Sequence, residues 1–219
     1  MIGKMDNQIL IPPPPSEEHL LGELKEVSHQ YKNRFNPEFI QEDLDKKMAK
    51  VFSEFLRSSG EEKAVDDIKK IGRKILPTIM FHKEFFNSKR PSELAKEEGI
   101  DFEFDELDSA KTRSYPSGHT AQALYIALTL GDEFPHLKDG LLLVAQMISE
   151  SRIDRGVHFP SDNNGGVELA KAFYEIENYK DNPNLVELMI IADILEDRGL
   201  KKESSIIYSF VDKYLKHKK

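Results

Sequence analysis

Residues 113–127 read RSYPSGHTAQALYIA, in which a Pro-Ser-Gly-His turn leads directly into an uncharged segment. From Ser117 to Leu130 apolar residues occupy almost the whole circumference of a helix, which is typical of a central, buried helix. The free backbone amides and the dipole at the N-terminus of such a helix favour an anion. The stretch therefore predicts a buried helix with Ser117, Gly118 and His119 at an anion-binding end.

The rest of the chain also shows helical periodicity, so we predict an all-α fold: a compact helical bundle with an extra C-terminal helical pair. We expect a core at 1–180 with a proline-rich N-terminal arm, and a C-terminal extension at 181–219 packed on the same domain. A break is expected at Pro77 and a loop at 100–112. The further predicted helices begin at Ser16 and after Asn36-Pro37 and cover 65–75, 137–155, 160–173, 185–195 and 204–215.

Composition excludes several classes of function. The 219 residues carry a net charge of −8, which argues against a nucleic-acid partner, because binding to phosphate backbones needs an excess of Lys and Arg. There is no cysteine, so disulfides, zinc-thiolate sites and a Cys nucleophile are ruled out. The longest uncharged stretch contains proline, glycine and histidine, so we expect no integral membrane segment.

Three segments combine cations, histidines and small residues. The segment KEFFNSKRP places Lys83 and Arg90 seven residues apart, so both cations can face one side of a helix. The turn YPSGHT supplies backbone amides and His119, and the segment SRIDRGVHFPSD supplies Arg152, His158 and Asp162.

This set of residues suits phosphoryl transfer through a phosphohistidine. A phosphate dianion needs guanidinium and ammonium contacts together with backbone amides. One neutral histidine must attack phosphorus, and the other must give a proton to the leaving oxygen. A carboxylate can fix the tautomer of the attacking imidazole. Nothing in this chemistry requires a metal, so we expect no cofactor.

The three segments resemble the signature of the type 2 phosphatidic acid phosphatase superfamily. Its pattern is Lys-x6-Arg-Pro, then Pro-Ser-Gly-His, then Ser-Arg-x5-His-x3-Asp, and all of it stands in this chain between Lys83 and Asp162. Soluble bacterial class A acid phosphatases look nearest, since their sequences contain a stretch similar to SYPSGHT and a proline-rich stretch that 11–15 resembles. The resemblance covers roughly residues 9–175 and implies a bundle of the acid phosphatase and vanadium haloperoxidase type.

The resemblance also implies a role for each matching residue. His158 would be the nucleophile, Asp162 its orienting partner, and His119 the acid that protonates the leaving alcohol and then activates water. The phosphoryl oxygens would be held by Lys83, Arg90, Arg152, Ser117 and the Gly118 amide. The implied activity is that of a metal-independent phosphomonoesterase acting on soluble phosphate esters.

Two other functions stay open at this point. A vanadate-dependent haloperoxidase would use the same residues, because vanadate resembles the phosphoryl transition state, and a phosphate-binding protein without activity would keep the same anion site. A zinc site at His119, His158 and Asp162 is disfavoured, since the flanking cations would repel the ion.

The expected partner is therefore a small phosphate ester, phosphate or vanadate. The sequence leaves open whether the chain forms a homo-oligomer. Residues 1–15 lack the apolar core of a secretory signal, so the chain as given is expected to be cytoplasmic, or periplasmic if a signal peptide has been removed.

Overall fold

The computed structural model describes residues 9, 11–34, 44–179 and 183–216. The chain divides into two compact units, Met1–Phe173 and Tyr174–Lys219. The regular elements of the described ranges are α-helices and two short 3₁₀ turns, with no strand among them, so the predicted all-α fold is confirmed. The predicted domain boundary, and the packing of the extension on the core, stay predictions.

Ten α-helices longer than one turn lie in the described part of the chain. None of them combines the length and the apolar composition needed to cross a lipid bilayer. In chain order they are α1 (Glu17–Asn33), α2 (Met48–Ser58), α3 (Val65–Lys74), α4 (Leu76–Phe86), α5 (Pro91–Glu97), α6 (Gly118–Glu133), α7 (Lys138–Asp154), α8 (Pro160–Tyr179), α9 (Pro183–Asp197) and α10 (Lys201–Lys216).

The predicted buried helix is confirmed as α6, which packs against α3 and α7 in the core of the first unit. Its residues Ala123, Ile126 and Leu130 are buried in one cluster with side chains from α2, α3 and α7. Each large aliphatic side chain buried in this way contributes roughly 1.5–3 kcal/mol to folding. The N-terminus of α6, where His119 lies, is therefore anchored to the hydrophobic core of the unit.

A second hydrophobic cluster holds the segment SRIDRGVHFPSD, the third motif, in place. Leu20, Leu24 and Val27 of α1 pack with Leu94 of α5 and with Phe159, which follows His158 directly. As predicted, α1 starts after Ser16, whose hydroxyl accepts from a backbone amide of the first turn. Helix α1 thus anchors both α5 and the turn that carries His158.

The first motif does not form one helix, so the prediction that Lys83 and Arg90 share a helical face is wrong. Helix α4 ends at Phe86, because Asn87 adopts a left-handed backbone conformation with φ 49°. Arg90 instead precedes α5, and its backbone amide donates to Glu93 Oε2 at 2.7 Å while Pro91 takes the first helical position. The two cations converge from separate helices.

Two further sequence predictions concern helix limits. The break expected at Pro77 falls at Ile75 instead, and Pro77 lies in the first turn of α4, where a missing amide hydrogen costs nothing. The helix start predicted after Asn36-Pro37 lies outside the described residues, but 44–46 are helical and α2 follows them.

Candidate active site

His158 and Asp162 form a buried pair where the chain enters α8. His158 Nδ1 lies 3.0 Å from Asp162 Oδ2, and both side chains are 3% exposed. Asp162 Oδ2 also accepts from the Phe159 amide at 2.9 Å and from the Ser114 hydroxyl at 2.5 Å. Because a carboxylate only accepts hydrogen bonds, Nδ1 of His158 carries the proton and donates it to Asp162.

The other ring nitrogen of His158 faces a guanidinium. Arg90 Nη1 lies 3.0 Å from His158 Nε2 and also donates to Val157 O at 2.7 Å. Since a guanidinium only donates, Nε2 must present its lone pair. The two contacts together select one neutral tautomer, with a proton on Nδ1 and a free electron pair on Nε2, which is the form that a nucleophilic histidine needs.

Electrostatics keeps His158 neutral. Burial lowers its pKa well below the ordinary value, and the charges of Arg90, Lys83 and Arg152 lower it further. Burial also raises the pKa of Asp162 to about 6, although its hydrogen bonds and the nearby cations act in the opposite direction. The surrounding positive charge therefore favours an imidazole over an imidazolium at this position.

Lys83 reaches the cluster from α4. Its ammonium donates to the carbonyl oxygens of Arg113 at 2.5 Å and Ser114 at 2.9 Å, which leaves one of its three N–H groups for a ligand. Burial and the charge of Arg90 lower the pKa of Lys83 to about 7. A dianion in contact with Lys83 would therefore favour the charged form of its ammonium group.

Arg152 is fully buried at the end of α7. Its Nη1 donates to Asp45 Oδ1 at 2.6 Å, and its Nη2 donates to Ser109 Oγ at 3.1 Å. Its Nε atom is buried and has no hydrogen-bond partner among the described residues. A buried guanidinium N–H without an acceptor is costly, so this atom indicates that an anionic ligand belongs beside it.

His119 lies in the first turn of α6, where it meets the same Asp45. Its Nε2 lies 3.1 Å from Asp45 O, a carbonyl acceptor, so this nitrogen carries a proton. Burial and the charge of Arg152 lower the pKa of His119 to about 3. In the structure His119 is thus a neutral donor that is already in contact with an acceptor of the protein.

The Pro-Ser-Gly-His turn is tied to the third motif through backbone. The Ser117 amide donates to Asp162 O at 2.9 Å, which fixes the start of α6 next to the start of α8. The Ser117 hydroxyl accepts from the Thr120 backbone amide at 3.5 Å and so caps the helix, and it also accepts from the Thr120 hydroxyl at 2.9 Å. A Cβ on Gly118 would lie 3.7 Å from Lys83 Cε, so the absence of a side chain keeps the space beside Lys83 open.

The structure therefore brings the sequence-predicted site residues of all three motifs into one cluster, with Ser117 acting mainly as a helix cap. Sequence reasoning missed three residues of this cluster: Ser114, Ser109 and Asp45. Ser114 stands inside the SYPSGHT stretch, so its position beside the motif was a usable signal. Asp45 and Ser109 lie in segments without a motif, and only the fold places them against Arg152.

Comparisons with known proteins give a match over the region that contains all three motifs. The family model described as the PAP2 superfamily matches residues 71–175. Among solved structures, the chain is similar to the first transmembrane PAP2 type phosphatidylglycerolphosphate phosphatase from Bacillus subtilis. That similarity has 19% identity, covers 80% of this chain and 81% of that chain, and has a TM-score of 0.39. No curated protein matches the chain.

Proposed function

We propose that this chain is a PAP2-type phosphatase, namely a metal-independent phosphomonoesterase that acts on soluble esters through a phosphohistidine. The match of residues 71–175 to the PAP2 superfamily, which spans all three motifs, supports this proposal. The observation that carries the proposal is the pair of contacts around His158, with Asp162 at Nδ1 and Arg90 at Nε2, from which the nucleophilic tautomer follows. The closer relation to class A acid phosphatases stays a prediction.

In the first step the Nε2 lone pair of His158 attacks phosphorus and forms an N–P bond. The P–O bond to the leaving group breaks, and His119 transfers its proton to the departing oxygen. Arg90 Nη1, which now contacts His158 Nε2, is released to a phosphoryl oxygen as that lone pair is used. Lys83, Arg90 and Arg152 then neutralise the charge on the equatorial oxygens.

In the second step water attacks the phosphohistidine. Neutral His119 takes a proton from the water, the new P–O bond forms, and the electron pair of the N–P bond returns to His158 Nε2. Asp162 accepts from Nδ1–H in both steps and stabilises the positive charge that the imidazole carries while it is phosphorylated.

His119 has to carry a positive charge to act as an acid, and the negative charge of the bound ester favours this imidazolium form. In the ligand-free site burial and Arg152 hold the pKa of His119 at about 3. A phosphate dianion beside it acts in the opposite direction, since an opposite charge within contact distance favours the charged form of an imidazole. Binding of the ester therefore charges the acid that the first step needs.

The leaving group has to lie within reach of His119. A cavity of about 480 Å³ meets this condition, because His119 and Gln122 line it together with Lys69 and Arg73. Its walls combine these polar and charged side chains with apolar ones, Met48, Val65 and Ile126, so the cavity has room for an alcohol with both polar and apolar parts.

We expect His119→Ala to lose activity according to the leaving group. Esters of poor leaving groups, such as alkyl alcohols, need the proton, and their turnover should fall by about 10²–10⁴-fold, the usual contribution of general acid catalysis. With para-nitrophenyl phosphate the first step should be much less affected. Values of kcat/KM, which report the phosphorylation step alone, check this over a series of leaving groups, and an equal loss of kcat/KM for all of them would contradict the role of His119 as the acid.

The pH dependence of phosphate binding should follow Lys83. Burial and Arg90 set the pKa of Lys83 at about 7, so above this pH the ligand-free protein must take up a proton when the dianion binds. Between about pH 8 and pH 9 the dissociation constant of phosphate should therefore rise about tenfold. Calorimetric titrations at the two pH values measure it. Lys83→Met should bind weakly without this slope, and an equally steep slope in that variant would contradict the assignment.

One activity screen tests the proposed class of substrate. Nucleotides, sugar phosphates, pyrophosphate and lysophospholipids are each incubated with the protein across pH 4–8, and released phosphate is measured with and without chelator. We expect turnover of soluble monoesters that survives chelation and is inhibited by vanadate. Hydrolysis confined to the lysophospholipids, or abolished by chelator, would contradict the proposal.

A further inference from the structure

Asp45 makes polar contacts with two site residues that are assigned to the substrate. Its Oδ1 atom accepts from Arg152 Nη1 at 2.6 Å and from Ser109 Oγ at 2.7 Å, and it lies 3.3 Å from His119 Nε2. Its backbone oxygen accepts from the same His119 nitrogen at 3.1 Å. One residue thus holds both a phosphate-binding cation and the proton donor.

The contact between Asp45 and Arg152 is shielded from solvent. The Asp45 side chain is 4% exposed and that of Arg152 is 0% exposed. Burial disfavours the charged form of Asp45, but Arg152, Ser109 and His119 outweigh this effect, so the pKa of the carboxyl lies below its ordinary value. The group that faces Arg152 is therefore a carboxylate with a full negative charge.

A carboxylate oxygen and a phosphoryl oxygen make the same kind of hydrogen bond to a guanidinium. We propose that Asp45 competes with the phosphoryl group for Arg152 and is a specificity-determining residue that favours dianionic phosphomonoesters over monoanions. This inference rests on the proposed function, because it takes Arg152 as a phosphate ligand. Asp45 is not a catalytic residue, since it acts only through Arg152 and His119.

The selectivity follows from charge. Arg152 is buried, and a buried cation without an anion is strongly disfavoured, so Arg152 keeps Asp45 until another anion replaces it. A phosphodiester carries one negative charge, as Asp45 does, so replacing the Asp45 carboxylate at Arg152 by a phosphodiester yields little binding free energy. A phosphomonoester carries two charges and also contacts Lys83 and Arg90, so it displaces the carboxylate.

The surroundings give the carboxylate room to turn away. Asp45 lines the cavity of about 480 Å³ that His119 also lines, and it lines a second cavity of about 730 Å³ together with Lys46, Asp108 and Lys111. The neighbouring Leu44 is buried in the core cluster, so we expect Arg152 to be released by rotation of the Asp45 side chain and not by movement of the backbone.

Asp45→Asn tests the competition, because it keeps a hydrogen-bond acceptor and removes the charge. We expect the variant to bind inorganic phosphate about tenfold more tightly by calorimetry, the low end for a contact between close charges. It should also bind dimethyl phosphate measurably, which the wild-type chain should not. Asp108→Asn is the matched control, since Asp108 lines the same cavity but is exposed and paired with Lys111. It should bind phosphate as the wild type does.

Unchanged or weaker phosphate binding in Asp45→Asn would overturn the inference and would make Asp45 a group that only positions Arg152 and His119. A structure of the wild-type chain with phosphate gives the same decision if the variant does not fold. There, Arg152 Nη1 should contact a phosphate oxygen with Asp45 turned away, and an intact Asp45 contact beside bound phosphate would overturn the inference.

Binding does not depend on turnover. A wild-type chain without esterase activity would reject the proposed function alone, and normal activity with unaltered binding in the variant would reject only this inference.

Discussion

His158→Ala should reduce turnover of para-nitrophenyl phosphate by at least about 10⁴-fold, the size of effect seen when a covalent nucleophile is removed from a hydrolase. The reason is that His158 Nε2 presents its lone pair toward the cation Arg90, whereas the other candidate groups are engaged within the protein. His119 has its Nε2 proton directed at Asp45, and Asp162 is engaged by Ser114 and the Phe159 amide. Steady-state kinetics with purified variants measures the loss.

The matched control for this variant is His136→Ala. His136 is exposed and its ring is near Glu61, away from the three motifs, so its removal should leave the rate unchanged. Thermal melting of both variants separates loss of chemistry from loss of fold. A folded His158→Ala protein that keeps the wild-type rate would exclude His158 as the nucleophile.

Asp162→Asn should lower the rate by about 10³-fold, because an amide does not hold the His158 tautomer as a carboxylate does. The amide oxygen can take the acceptor position that the Phe159 amide and Ser114 require, but it accepts more weakly from Nδ1–H and has no charge to stabilise the positive imidazole that forms on attack. The rate constant for turnover, measured with para-nitrophenyl phosphate, is the readout.

The same variant should keep its fold. Burial raises the pKa of Asp162 to about 6, above the value of an unfolded chain, so ionisation of this group costs stability as the pH rises from about 4 to 6. Asparagine removes that cost, and the melting temperature at pH 8 should not fall below that of the wild type. Asp101 is exposed, so Asp101→Asn is the control for both turnover and melting temperature. Wild-type turnover in Asp162→Asn would contradict the orienting role.

The helices were largely predictable because each signal is local. The cap at Ser16 and the uncharged segment after Ser117 mark α1 and α6 within a few residues of their observed starts. The first motif was misread for an equally local reason. A spacing of seven fits one helical face, but Asn87 takes a left-handed conformation that ends α4 between Lys83 and Arg90. Asparagine tolerates that conformation, yet nothing in the spacing requires it.

The site was predictable where residues belong to a motif. His158 and Asp162 are four apart in sequence, and the structure places them in contact. Asp45 was not predictable, because it lies more than a hundred residues before Arg152 and its segment shows no pattern of its own. Contacts of this kind come from packing of the whole unit, here from Leu44 in the core cluster, and single-sequence patterns do not encode them.

The most direct test of the central claim is to trap the phosphohistidine. His119→Ala, mixed with para-nitrophenyl phosphate and quenched in base, should accumulate the intermediate, because the good leaving group departs unaided while water lacks its base. Peptide mass spectrometry should then find one phosphate on His158, stable in base and labile in acid. Phosphate on another residue, or none at all while nitrophenol is still released in repeated turnovers, would contradict a mechanism through His158.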